Sequence, residues 1–286
     1  MARREAWNGI SLLRRVRTLL SSDDNALREW AERSGQTLKR LLGASPLQTA
    51  LVAEDKALEQ LQSVVSDFMA RFPAAAEKPL SEQPFSPRPG RIGLATSVPV
   101  AYVARSHATV PFDHDDAPLL LLLAKLLKSG YLHREIREKG GAYGGLCSCN
   151  IEAGTFSLLS YRDPHIVRTL EVYDRAIEWA ANGKFDQQQI EEAVLSVFAD
   201  LDRPLSPGGR GSHEFANLLQ GLGPEKRQQL RQKVLAATRA DLARAAQVWL
   251  ADNREQGAVA VIAGRDMLEA ANRELPGASR LEIEPI

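Results

Sequence analysis

Apolar residues at Trp7, Ile10, Leu13 and Leu20 recur along one broad face of the arginine-rich opening segment, predicting an amphipathic helix that ends near Leu20. The "SSDDN" that follows supplies N-cap side chains for a second helix carrying Ala26, Leu27, Trp30 and Ala31. Next, "LQTALVAEDKALEQLQSVVSDFMARF" opens as an apolar strand of about seven residues and runs into a helix. Residues 73–91 then hold five of the fifteen prolines, which block both helix and central strand, so this stretch reads as a linker. The arginine-rich start also has the look of an organellar transit peptide, but its pattern continues directly into further helical sequence. Residues 1–72 are thus a largely helical first region, and 92–286 a second, α+β region.

The second region opens with "IGLATSVPVAYVARSHATV", whose alternating β-branched residues predict one bent strand or two, with a break or an edge at Pro99. Asp115 or Asp116 then caps a helix with Pro118 in its first turn. Five consecutive leucines, 119–123, imply burial on most sides of that helix, and Gly140 and Gly141 stop it. "AYGGLCSCN" and "GTFSLLSYR" pair as a hairpin across "IEAG". Three or four helices fill residues 165–250; Asp186 caps one of them, and Thr238 with Asp241 forms a capping box on another. "GAVAVIAG" and a last helix close the chain. The fold class is α+β, with helices packed on a mostly antiparallel sheet.

An internal echo links the two regions. "ALVAEDKALE" from Ala50 and "AVIAGRDMLE" from Ala260 share four of ten residues in register, each an apolar strand leading into a helix. The first copy has far fewer strands and helices ahead of it than the second. It therefore reads as the C-terminal end of a related domain.

Charge narrows the partners. The 36 basic and 36 acidic side chains balance, so no global field draws the chain to nucleic acid or to an anionic membrane. No apolar run approaches the ~20 residues of a membrane span. The two cysteines, Cys147 and Cys149, sit one residue apart on a strand, where a mutual disulfide would be badly strained. They read as packed free thiols, which favours the cytoplasm or another reducing compartment.

The chemistry-bearing motifs are few. His107, His114, His133, His165 and His213 match no zinc-ligand spacing, and two thiols alone do not make a structural zinc site. His114 reads as a solvated residue ahead of its helix. No nucleophile elbow, Walker loop or dinucleotide fingerprint occurs, and "SPGGRG" at 206–211 reads as a plain turn. What remains is "REIREKGGAY". A helix ending in Arg137, a Gly-Gly stop and Tyr143 at the head of a strand put a guanidinium and a phenol on one rim of the sheet. Such a pair can hydrogen-bond a peptide carbonyl and the oxyanion formed from it. The alternative is that Arg137 pairs with a carboxylate and Tyr143 merely packs.

"YLHREIREKGGAYGG", then "GTFSLLSYRDP" and "ADLDRPLSPGGRG", resembles the C-terminal domain of the presequence-protease branch of the pitrilysin, or insulinase, metallopeptidases. The resemblance spans roughly residues 90–275, with 1–72 similar to the end of the preceding domain. It implies a peptidase of four related domains that closes like a clam shell on peptides and excludes folded proteins. In that family the N-terminal half holds zinc through an inverted H-x-x-E-H motif, and an arginine and a tyrosine of the C-terminal half reach the substrate. These correspond here to Arg137 and Tyr143, with Gly140 and Gly141 as the supporting loop. The zinc motif does not occur in these 286 residues, so zinc is expected on an N-terminal half or a partner subunit and the chain by itself is expected to be inactive. The expected partners are peptide substrates and that zinc-binding part. The rival readings are a non-catalytic subunit of a two-chain peptidase and a non-enzymatic peptide-binding scaffold.

Overall fold

The computed structural model describes residues 8–44, 47–72 and 90–286. They fall into two compact units, one drawn from residues 1–86 and 204–223, the other from 87–203 and 224–286. Trp7 and all but the end of the proline-rich segment lie outside the described residues.

The first unit is helical: α1 (Ile10–Leu20), α2 (Asp24–Ala44), α3 (Asp55–Met69) and, in chain order, α7 (Pro207–Leu219). Asp23 caps α2 as the "SSDDN" composition predicts, its Oδ1 accepting from the Ala26 N–H at 2.8 Å. No side chain of α1 or α3 is buried, and Leu20, Trp30, Val64 and Phe68 stay exposed. The predicted strand at "LQTALV" is not one. Residues 47–54 run outside any helix or strand, and Leu51 and Val52 remain exposed. A strand is completed by the hydrogen bonds of a neighbour, and none lies beside this segment among the described residues. The plain turn read at "SPGGRG" is also corrected. Ser206 Oγ accepts from the Gly209 N–H at 3.1 Å and Pro207 occupies the first turn, so the stretch nucleates α7.

The second unit is built on a six-stranded sheet. Its strands are β1 (Arg91–Ala95), β2 (Ala101–Ala108), β3 (Gly144–Asn150), β4 (Thr155–Asp163), β5 (Ala258–Ala263) and β6 (Glu282–Pro285). Their spatial order is β3-β4-β2-β5-β1-β6. The first three pairings are antiparallel, and β5/β1 and β1/β6 are parallel. Pro99 falls in the break between β1 and β2, and the predicted β3/β4 hairpin forms across 151–154. The short β6, unforeseen because Glu and Pro flank its one isoleucine, is pinned by Asn272, which bonds both the N–H and the C=O of Leu281. Such a short, charged strand suits an outer edge.

Helices cover one face of this sheet: α4 (Ala117–Leu127), α5 (Val167–Ala181), α6 (Gln187–Leu201), α8 (Pro224–Ala236), α9 (Arg239–Ala246) and α10 (Arg265–Glu274). Counting α7, five helices fill the stretch where three or four are expected. The expected cap at Asp186 and the capping box at Thr238/Asp241 both form, and Gln189 turns the Asp186 cap into a box as well. Of the five leucines, Leu119, Leu120, Leu122 and Leu123 are buried, as their run predicts. They join Val103, Phe156, Leu158, Tyr173, Ile177 and Val261 in one core. The other face of the sheet is only half-buried and carries Tyr102, Ser106, Leu159 and Ile262.

Past Leu127 the chain stays helical but winds wider, as a π-helical stretch from Lys128 to Glu138. Bonds of the i→i+5 type are uncommon, and where they occur they often mark functional sites. This wide helix leads directly to the Gly-Gly joint.

Candidate functional site

The joint is shaped by backbone contacts. The Gly141 N–H bonds to the Arg137 carbonyl and the Ala142 N–H to the Ile136 carbonyl, each at 3.1 Å, so the chain folds back across the helix end. A Cβ at Gly140 would lie 2.5 Å from the Ile136 carbonyl oxygen, and Gly141 has φ +76°. Neither position accommodates a larger residue without strain. At the head of β3 a Cβ on Gly145 would lie 2.7 Å from the Leu132 carbonyl oxygen, so the strand runs against the bare helix backbone. These close approaches place the helix side chain Arg137 next to Tyr143.

The charges around the pair are accounted for one by one. Glu135 Oε1 accepts from Arg134 Nε at 2.9 Å and from Lys139 Nζ at 2.8 Å. Lys139, then Arg134, hold its carboxyl below the usual range. Glu138 lies 3.3 Å from His133 Nδ1, and Lys125 pairs with Asp200. Arg137 has no carboxylate partner among the described residues. Its guanidinium carbon lies 5.9 Å from the centroid of the Tyr143 ring, within reach of a cation–π attraction. The packed-away alternative therefore does not describe this arginine: it is an exposed, uncommitted cation held by an aromatic face.

Tyr143 is itself 64% exposed, and its ring meets Tyr161 edge-to-face at 5.4 Å. Tyr161 meets Tyr102 in the same way, also at 5.4 Å, so three phenol rings run in series along the open face of the sheet. A bulge displays them. Between the pairs Ala101↔Asp163 and Val103↔Ser160 the register of β2 and β4 shifts, and Arg162 sits there at φ 51°, a left-handed conformation unusual for a non-glycine residue. The following Asp163 is buried and anchored by the His165 N–H at 2.9 Å and the Thr169 hydroxyl at 2.7 Å. The Tyr143 N–H closes the arrangement on the Tyr161 carbonyl at 3.1 Å.

Beside the pair lies a groove of about 590 Å³. Its helix wall carries Lys125, Lys128, Ser129, His133 and Arg137; its strand wall runs from Tyr143 to Leu146 with Tyr161, and Ser196 of α6 completes the lining. No acidic residue lines it among the described residues. The structure thus brings Arg137, Tyr143, Gly140 and Gly141 together, as the sequence reading placed them, and adds Tyr161, Lys128 and His133. Tyr161 stood within the "SYRDP" block and on the period-two face of its strand; that signal was there to be read.

The remaining titratable groups lie elsewhere. Burial, then the neighbouring Arg105, push His107 down to about 4. His114 is exposed and its Nδ1 accepts from the Asp116 N–H at 3.0 Å. Cys147 and Cys149 are free, and burial pushes their thiols up, to about 12 for Cys149. Protonated thiols are poor metal ligands. No cluster of three His, Cys, Asp or Glu side chains able to hold a metal occurs among the described residues.

A helix layer on a mostly antiparallel sheet is the fold this chain shares with solved M16, or pitrilysin-type, peptidase domains. The inactive domain of an M16 peptidase from Pseudomonas fluorescens superposes with a TM-score of 0.58 at 17% identity, over 74% of this chain and 51% of that one. Pitrilysin gives 0.51 at 12% identity, over 81% and 25%. A family model described as the PreP C-terminal domain matches residues 96–265, and the chain belongs to that family. Among curated relatives, the mitochondrial presequence protease of Xenopus tropicalis is 38% identical over 62% of this chain and 17% of its own length. That of Saccharomyces cerevisiae is 30% identical over 86% and 26%. The chain therefore spans about a sixth to a quarter of the length of these relatives.

Proposed function

We propose that this chain supplies the substrate-contacting part of a zinc metalloendopeptidase that degrades short, unstructured peptides. The observation that carries the reading is the uncommitted Arg137 guanidinium stacked on Tyr143 at the rim of an acid-free groove. The Arg137 N–H groups and the Tyr143 hydroxyl donate hydrogen bonds to a peptide carbonyl, and those bonds strengthen as the carbonyl oxygen gains charge. Tyr161 backs the Tyr143 ring and limits its swing. Zinc, held by an H-x-x-E-H segment on the same or another polypeptide, supplies the activated water. The 286 residues contain no such segment, so they do not cleave peptides on their own. Free thiols suit a reducing compartment, and the curated relatives named above are mitochondrial.

The test pairs the chain with a zinc-binding N-terminal part of the same family and follows cleavage of a quenched fluorescent peptide. Activity on mixing, lowered about 100-fold or more by Arg137→Ala with little change in KM, is the expected result. Undiminished turnover with Arg137→Ala and Tyr143→Phe would leave the chain a scaffold.

A further inference from the structure

We propose that the groove beside Arg137 and Tyr143 contains a subsite for the carboxylate side chain of an extended peptide, with Lys128 as the residue that recognises it. This rests on the peptide-contacting reading above and goes further by naming the charge of a substrate residue.

Among the described residues, four cationic or ionisable basic side chains line the groove and no acidic one does. Two of the four are committed: Lys125 to Asp200, and His133 to Glu138. Lys128 and Arg137 are both exposed and have no ion-pair partner among the described residues. The helix winding aims them at one space. At about 3.6 residues per turn, positions nine apart would fall on opposite sides of a helix. The wider i→i+5 winding from Lys128 to Glu138 instead brings Lys128, His133 and Arg137 onto one wall. Two uncompensated like charges on one wall repel each other, and an incoming anion relieves that repulsion.

Spacing and shape favour a peptide as the carrier of that anion. At no more than about 1.5 Å of rise per residue, Lys128 lies within about 14 Å of Arg137 along the helix axis. An extended chain covers that distance in about four residues at about 3.3 Å each. The opposite wall is β3, an edge strand with no neighbour on its outer side among the described residues. Its Gly144, where a Cβ would meet nothing within 4 Å, keeps that wall low enough for a backbone to lie along it, as in recognition by strand addition. A peptide whose carbonyl meets Arg137 and Tyr143 thus carries a side chain to Lys128 about four residues further on. The Ser196 hydroxyl lines the same groove and adds a neutral donor for that carboxylate.

The experiment measures fluorescence anisotropy of the full chain with three labelled ten-residue peptides, identical except for Glu, Gln or Lys at one position. The expected order is Glu tighter than Gln by roughly three- to fivefold, the scale of one partly exposed ion pair, with Lys weakest. Raising salt narrows the spread. Lys128→Gln brings the Glu and Gln peptides within twofold of each other, and Lys128→Glu reverses the order in favour of the Lys peptide. Equal affinities for the three peptides, or a preference for Glu that survives both Lys128 variants, would overturn the subsite while leaving peptide binding intact. Equally tight retention of a single-stranded oligonucleotide would replace it with a general polyanion surface. Failure to bind any of the peptides would overturn the peptide-contacting reading itself.

Discussion

Gly145→Ala tests the idea that the site is set by how closely β3 presses on the wide helix. The added methyl would stand 2.7 Å from the Leu132 carbonyl oxygen and 3.0 Å from Ile136 Cβ, where ordinary contacts are 3.4–4 Å. The obstructing oxygen is backbone, so no rotamer change relieves it; the strand or the helix must move. Overpacking of this kind costs about 1–3 kcal/mol. Taking about 2 kcal/mol, and about 2–4 °C per kcal/mol for a body of 150–250 residues, the melting temperature falls by roughly 4–8 °C. Gly144→Ala, one residue away, meets nothing within 4 Å and is the matched control, with an effect within about 0.5 kcal/mol. Thermal and urea unfolding followed by circular dichroism compare the two. Because Ile136 precedes Arg137 directly, the same displacement weakens peptide binding for Gly145→Ala. Equal melting temperatures for the two variants would refute the close-approach argument.

Three further outcomes follow from the structure. His107 is held near 4 against about 6.5 in an unfolded chain, so the unfolded state takes up its proton first as pH falls; the stability this represents is whole above about 6.5 and is lost towards 4, up to about 3 kcal/mol. Urea midpoints measured across that window decline, and His107→Gln flattens the decline. Asp116, nearly buried, accepts from Arg244 Nη1 at 3.1 Å and Trp249 Nε1 at 2.8 Å, so Asp116→Asn costs about 2 kcal/mol in urea unfolding and shifts the Trp249 emission. At the bulge, Arg162→Val destabilises by about 1–2 kcal/mol whereas Arg162→Gly is tolerated, because only glycine adopts φ 51° without a Cβ penalty; equal unfolding midpoints would contradict this.

Local signals with a fixed spacing were readable. Asp186 announces its cap and Thr238 its capping box with Asp241, Pro99 marks the break between β1 and β2, and the Gly140–Gly141 stop sets Arg137 against Tyr143. The failures have different physical causes. "LQTALV" has strand composition, but pairing is a property of two segments, and none lies beside it among the described residues. "SPGGRG" is rich in turn residues, yet Ser206 and Pro207 are also good helix starters, and that local signal won. The change of winding at Lys128 shifts each hydrogen bond by one residue and leaves the apolar pattern intact. Nothing in the letters marks Arg162 for a left-handed backbone, so the bulge was unforeseen, although Tyr161 itself lies on the period-two face of its strand.

The order of the strands also decides how the molecule can be handled. The closing strand β6 lies at the far edge from β3, five strand spacings or about 24 Å away. A biotin or affinity tag joined after Ile286 would anchor the protein by the edge opposite the groove, leaving Lys128, Arg137 and Tyr143 turned towards the bulk solution. Surface-capture binding assays should therefore immobilise this chain through its C-terminus.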